Sequence, residues 1–203
     1  MANRTATTTG SLNVISGCTI EIPIRTVLAG QPTVNSIHIV KMNNLPDISD
    51  TKNAIYNPEG IIGRSFPLYT YSHSGDRAIS IQLHFFAIDP SDIEKNIQDL
   101  RAIQSAVYPR EGLGGVPYRP PAICRIACGY LLSGSIESKE GPEKLCCSLQ
   151  SYSVKFPTEV AWEETTKMPY RFDVDTSWLT VVSSDKLPYA NDISSGRIYR
   201  SGR

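Results

Sequence analysis

The sequence predicts an α+β fold, mostly antiparallel β-structure, with one amphipathic helix laid on the sheet. Three observations carry this expectation. Short alternating apolar runs recur along the chain between Gly, Pro and Asn turns. One of them, Ala78-Ile79-Ser80-Ile81-Gln82-Leu83-His84-Phe85-Phe86, puts Ile79, Ile81, Leu83 and Phe85 on one face and Ser80, Gln82 and His84 on the other. And only one segment, residues 91–108, has the 3.6-residue apolar spacing of a helix.

Residues 1–19 are expected to form a flexible N-terminal arm, polar and aperiodic through Thr5, Thr7, Thr8, Thr9, Gly10 and Ser11. Two strands follow, Ile20 to Ile24 and Val34 to Val40, with a turn at Gly30-Gln31-Pro32 between them. Residues 43–63 carry Asn43, Asn44, Pro46, Asp47, Asn57, Pro58, Gly60 and Gly63, and read as one long loop. Loops of that length are usually functional or ordered by a partner. Leu68 to Ser72 is expected to be the hairpin partner of Ala78 to Phe86, with His73-Ser74-Gly75-Asp76 as their turn.

The helix has Ser91 as expected N-cap with Glu94 three residues on, the pattern of a capping box. Ile93, Ile97, Leu100, Ile103 and Val107 form its apolar stripe, and Pro109 ends it. Further strands are expected over Ala122 to Cys128, Tyr130 to Ile136, Leu145 to Phe156 and Tyr170 to Val182. Apolar parity switches from odd to even within Leu145 to Phe156, which predicts a bulge near Gln150-Ser151. Residues 20–182 thus read as one β-rich domain, and 183–203 as a polar tail containing Arg197, Arg200 and Arg203.

Composition narrows the function classes. The 203 residues carry twenty Lys plus Arg against twenty Asp plus Glu, a formal net charge of zero. That balance argues against sequence-specific nucleic-acid binding, which draws on a basic excess. No apolar run approaches the roughly 18 residues of a membrane helix, and Met1-Ala2-Asn3-Arg4-Thr5 does not open a signal peptide. The expectation is a chain made in a cytoplasm, with its five cysteines (18, 124, 128, 146 and 147) reduced. Cys124 and Cys128 share a strand face with Ile126 and read as small core residues rather than metal ligands.

No catalytic pattern emerges. His73-Ser74-Gly75-Asp76 holds the letters of a hydrolase triad, but consecutive turn residues cannot face one another as a triad must. His38 and His84 read as strand residues. Gly112-Leu113-Gly114-Gly115 lacks the Lys-Ser/Thr ending of a phosphate loop. Glu163-Glu164, and Asp173 with Asp175, read as solvated strand carboxylates. No enzyme activity, catalytic residue, metal or cofactor is implied.

The order of features carries a resemblance. Phe66-Pro67-Leu68-Tyr69-Thr70-Tyr71-Ser72 leads into the strand at 78–86, and the helix with Asp99-Leu100-Arg101-Ala102-Ile103 ends at Tyr108-Pro109. Pro120-Pro121-Ala122-Ile123-Cys124-Arg125-Ile126-Ala127-Cys128-Gly129 and Leu149-Gln150-Ser151-Tyr152-Ser153-Val154-Lys155-Phe156 follow. This layout, over roughly residues 61–182, resembles the tail-tube-associated baseplate proteins of contractile-tailed bacteriophages and related pyocin-like particles.

The resemblance implies a tail-tube-like β-barrel or sandwich in a virion, assembled as a homohexameric ring where the tail tube meets the baseplate. Its implied partners are the tail tube protein, the baseplate hub and sheath or wedge components. Many members carry a LysM module. None is found after Val182, which points to a plain adaptor or tube initiator. The segments expected to meet these partners are the N-terminal arm (Thr5, Thr9, Ser11), the 43–63 loop (Asn43, Asn44, Asn57, Gly63) and the tail arginines (Arg197, Arg200, Arg203). A tail terminator or neck ring is the alternative within that class. From another class, a cytosolic β-rich hydrolase or ligand-binding barrel would need Asp173, Asp175 or Glu163 in a pocket.

Overall fold

Alternation of apolar and polar residues produces one large sheet in the computed structural model, which describes residues 18–26, 34–42, 46–111, 117–128, 132 and 144–200. Seven strands form it: β1 (Cys18–Thr26), β2 (Val34–Lys41), β3 (Asp47–Glu59), β4 (Leu68–Phe86), β7 (Ile123–Cys128), β8 (Leu145–Lys155) and β9 (Arg171–Thr180). Their spatial order is β2-β1-β7-β8-β9-β4-β3, and each neighbouring pair is antiparallel. A small separate ladder joins β5 (Arg110–Glu111) to β6 (Tyr118–Arg119).

One face of this sheet builds the core. Ile20, Ile22, Val40, Ile79, Ile81, Leu83, Phe85, Cys124, Ile126, Cys147, Leu149, Phe172, Val174 and Trp178 are all buried. Helix α1 (Pro90–Ser105) lies on that face with Ile93, Leu100 and Ile103 turned inward. It packs against β1 and β2 at one side of the sheet and against β4 at the other. The sheet therefore curls around its helix, and Val40 and Met42 share a small crevice with Leu83 and Phe85. No strand pairing closes it into a barrel among the described residues. The α+β architecture and the expected bulge are present, the latter as a register shift between Leu149 and Ser151.

Trp178 shows how the core satisfies its polar atoms. Its indole Nε1–H donates to Thr176 Oγ1 at 2.8 Å, and the Thr176 hydroxyl donates to the Ile81 carbonyl at 2.8 Å. The relay ties β9 to β4 without leaving a buried donor unpaired.

Several expectations are corrected. The 43–63 segment is not one loop, because Asp47–Glu59 is a thirteen-residue strand paired along its length with β4. Leu68–Phe86 is likewise one continuous strand, so 68–72 and 78–86 are not hairpin partners and 73–76 is not their turn. The helix starts earlier than expected: its N-cap is Asp89, with Pro90 in the first turn, and Asp92 Oδ2 accepts the Asp89 N–H at 3.3 Å. It ends at Ser105 rather than 108.

The cysteines are not all reduced, since Cys18 and Cys128 form a disulfide across β1 and β7. Cys18 and Thr19 belong to β1 rather than to the N-terminal arm. After β9 the polar segment packs back on the sheet through a 3₁₀ turn (Ser184–Lys186) and helix α2 (Ala190–Ser194). It buries Ile198 and sets Tyr199 Oη to accept the Cys146 N–H at 2.7 Å and donate to the Lys144 carbonyl at 3.1 Å. The strand expected over Tyr130 to Ile136 lies outside the described residues, apart from the buried Leu132.

Candidate assembly surface

The longest strands in the sheet outrun their neighbours. β9 pairs with β4 only from Ala78 to Phe86. Beyond Ala78, β3 is the only strand paired with β4 among the described residues. Residues Lys52–Glu59 and Leu68–Arg77 therefore leave the body as a two-stranded ribbon. At roughly 3.3 Å per residue it reaches about 30 Å.

Every residue from Ser49 to Ser74 is exposed. Ile55, Tyr56, Ile61, Ile62, Phe66, Leu68, Tyr69 and Tyr71 are among them. An isolated two-stranded hairpin is marginal in water, and this concentration of exposed apolar side chains makes the ribbon the candidate surface for contact with another chain.

Sequence organises the ribbon into two faces. Register shifts between Lys52 and Ala54, and between Ile55 and Tyr56, each put one extra residue on β4. Two such bulges restore the alternation, so Tyr69 and Tyr71 fall on the side that holds Ile79 and Ile81 in the body. Tyr56 opposite Tyr71, and Pro58 opposite Tyr69, complete this aromatic face. The ribbon thus prolongs the core face of the sheet into solvent.

Its root is braced by Arg77, whose guanidinium donates from Nε to Asp50 Oδ1 at 2.9 Å and from Nη2 to Asp50 Oδ2 at 2.5 Å. That bidentate bond, opposed by partial burial, raises the Arg77 pKa further above its ordinary value. Pro58 on β3, which offers no N–H for pairing, and the twist that the β4 bulges add both work against simple strand addition at this edge. At the tip Gly63 has φ +88°, a conformation that favours glycine, beside the turn in which the Arg64 N–H donates to the Ile61 carbonyl at 3.2 Å.

The expected contact residues scatter. Asn57 lies on the ribbon, where its carbonyl accepts the Thr70 hydroxyl at 3.3 Å, and Gly63 sits at the tip. Arg197 and Arg200 lie on the packed C-terminal segment, far along the chain from the ribbon. Arg200 stacks over the Tyr189 ring at 4.8 Å. Thr5, Thr9, Ser11, Asn43, Asn44 and Arg203 lie outside the described residues. The ribbon's tyrosines were not among the expected contacts, although the Leu68-Tyr69-Thr70-Tyr71 run was a strand signal.

Several titratable side chains pair with one another. His38 Nε2 meets Asp99 Oδ1 at 2.6 Å, joining β2 to α1, and burial pushes the Asp99 carboxyl up despite that bond. His84 Nδ1 meets Asp173 Oδ1 at 2.6 Å. Asp175 pairs with Lys155 at 2.6 Å at one wall of an open trough of about 360 Å³. Serines 49, 80, 177 and 151 stand in one register row across that trough. Glu163 is held by the Thr166 hydroxyl and N–H, which lowers its carboxyl to about 2. Among the described residues no group of three or more His, Cys, Asp or Glu side chains is placed to hold a metal ion. No helix among them is long and apolar enough to cross a membrane.

What the structure defines as a class is a β-sheet body with a projecting two-stranded ribbon. No protein-family model matches the chain, and no curated protein matches it either.

Proposed function

We propose that this chain is a structural component of a contractile phage tail. It would form a ring, six copies around, at the baseplate end of the tail tube and join the tube to the hub and to sheath or wedge proteins. The ribbon is the observation that carries this reading. About 30 Å of exposed, aromatic-faced hairpin, unpacked against the body among the described residues, suits burial against a neighbour.

Three further features support it. The sheet is curled but open, so neighbouring copies could complete a tube-like barrel. Its β2 edge carries exposed Ile37 and Ile39 and lies at the opposite end of the strand order from the ribbon. Different surfaces at the two ends of one sheet suit head-to-tail contacts, which close into rings when the rotation allows. The layout of residues 61–182 resembles the baseplate proteins of such tails.

The test is compositional. Phage-like particles sedimented from the source culture and purified on a gradient should contain this chain at a fixed ratio, well below that of the repeated tube protein. Its absence from particles, with the chain free in the cytosol, would refute the reading.

A further inference from the structure

β7 is the narrow waist of the sheet. Among the described residues it has six residues and is the only strand joining the β2–β1 pair to β8, β9, β4 and β3. Its seam with β1 spans four residue pairs, Cys18–Glu21 against Arg125–Cys128. Its seam with β8 also spans four, Ile123–Ile126 against Leu145–Ser148. The seams elsewhere in this sheet hold eight or more pairs.

Each short seam carries one directly opposed cysteine pair. Cys18 faces Cys128 and is bonded to it, while Cys124 faces Cys147 and both are free. The two pairs differ in position. Cys18 and Cys128 stand at the described ends of β1 and β7 and are themselves buried, at 3% and 2% exposed, so exchange at this bond goes through local opening of the seam. Cys124 and Cys147 lie within their strands and are fully buried, which pushes their thiols up to about 11 and about 12. Buried neutral thiols are poor nucleophiles for exchange.

We propose that the β1–β7 seam is a redox-set joint, in which oxidation of Cys18 and Cys128 fixes the β1–β2 pair to the rest of the sheet and reduction releases it. In the oxidising direction both thiols lose their protons and the two sulfurs join. The two electrons pass to an external small-molecule disulfide such as oxidised glutathione, which leaves as two thiols. The bond closes a separation of 110 residues across one of the two shortest described seams in the sheet. β2, which this joint steadies, is one edge strand of the described sheet and contacts α1. The proposal does not depend on the tail assignment.

The test uses the full chain equilibrated in reduced or in oxidised glutathione, then denatured and alkylated without further reduction. Intact mass should show three alkyl groups after oxidation and five after reduction. Hydrogen exchange on the folded samples should show β1 and β2 amides opening at least about tenfold faster in the reduced chain, with β4 and β9 unchanged. A Cys18→Ser/Cys128→Ser variant should behave like the reduced chain in both buffers, and Cys124→Ser/Cys147→Ser should keep the full redox response. Five alkyl groups after oxidation would overturn the proposal. So would equal β1–β2 exchange in the two buffers, or loss of the response in the Cys124/Cys147 variant.

Discussion

Tyr56 and Tyr71 meet edge to face across the ribbon, with ring centroids 5.8 Å apart and an interplanar angle of 71°. Each remains more than half exposed, at 54% and 58%. Cross-strand aromatic pairs stabilise a ribbon, and leaving two such rings in water wastes much of the apolar area that they could bury. Replacing both with serine should leave the body folded and weaken association by tenfold or more, the effect of losing roughly 1–4 kcal/mol of interface anchor. Titration of labelled variant into purified tail particles measures this. Unchanged affinity would separate the tyrosines from the contact.

Trp178 and Thr176 allow a clean comparison of packing with polar satisfaction. Trp178→Ala empties a fully buried site and should cost about 3–5 kcal/mol. Thr176→Val keeps the volume but leaves the indole N–H and the Ile81 carbonyl without their side-chain partner, at about 1–3 kcal/mol. Urea denaturation of the two variants should give that order.

Asp99 sets a pH dependence of definite sign. Burial raises its carboxyl in the folded chain, so between the ordinary carboxylate value and the raised one the folded state binds more protons than the unfolded. This contribution to stability is fully present at low pH and is lost as pH rises through that window. Asp99→Asn removes the titration while retaining an acceptor for His38. Its stability relative to the wild type should therefore rise with pH from about 4 upward, read by denaturation at a series of pH values. A difference that stays flat would contradict the assignment.

Glu163 behaves oppositely. Bonds from Thr166, chiefly its hydroxyl, hold the carboxyl near 2. The turn gains from the ionised form above the ordinary Glu value and loses that gain as pH falls toward 2. Thr166→Val should move the Glu163 carboxyl resonance to a higher titration midpoint in NMR.

Much of the body was legible because one buried face imposes a period. Ile79, Ile81, Leu83 and Phe85 alternate with polar residues since half of each turn of the pleat meets the core. The ribbon escaped for the converse reason. Its residues are exposed on both faces, so no core enforces alternation, and Asn53, Asn57 and Pro58 are poor strand formers. Pairing with β4, not propensity, makes that segment a strand. The C-terminal packing rests on Ile198 and Tyr199, two anchors without a period. The Cys18–Cys128 bond joins residues 110 apart and depends on strand register, which spacing does not reveal. Of the expected contact residues among those described, Asn57 falls on the ribbon and Gly63 at its tip, while Arg197 and Arg200 do not.

The most direct test of the ribbon's role is to shorten it. Residues 53–76 can be excised and Lys52 joined to Arg77 through Asn-Gly, the dipeptide favoured in two-residue hairpin turns. Residues 53–74 are all exposed, so the body should fold as before, which circular dichroism and thermal unfolding would verify. The measurement is incorporation of the tagged full-length and shortened chains into purified tail particles, quantified by mass spectrometry. The account predicts that the full chain enters at a fixed low ratio and the folded, shortened chain does not. Incorporation of the shortened chain at the full-length ratio would contradict it.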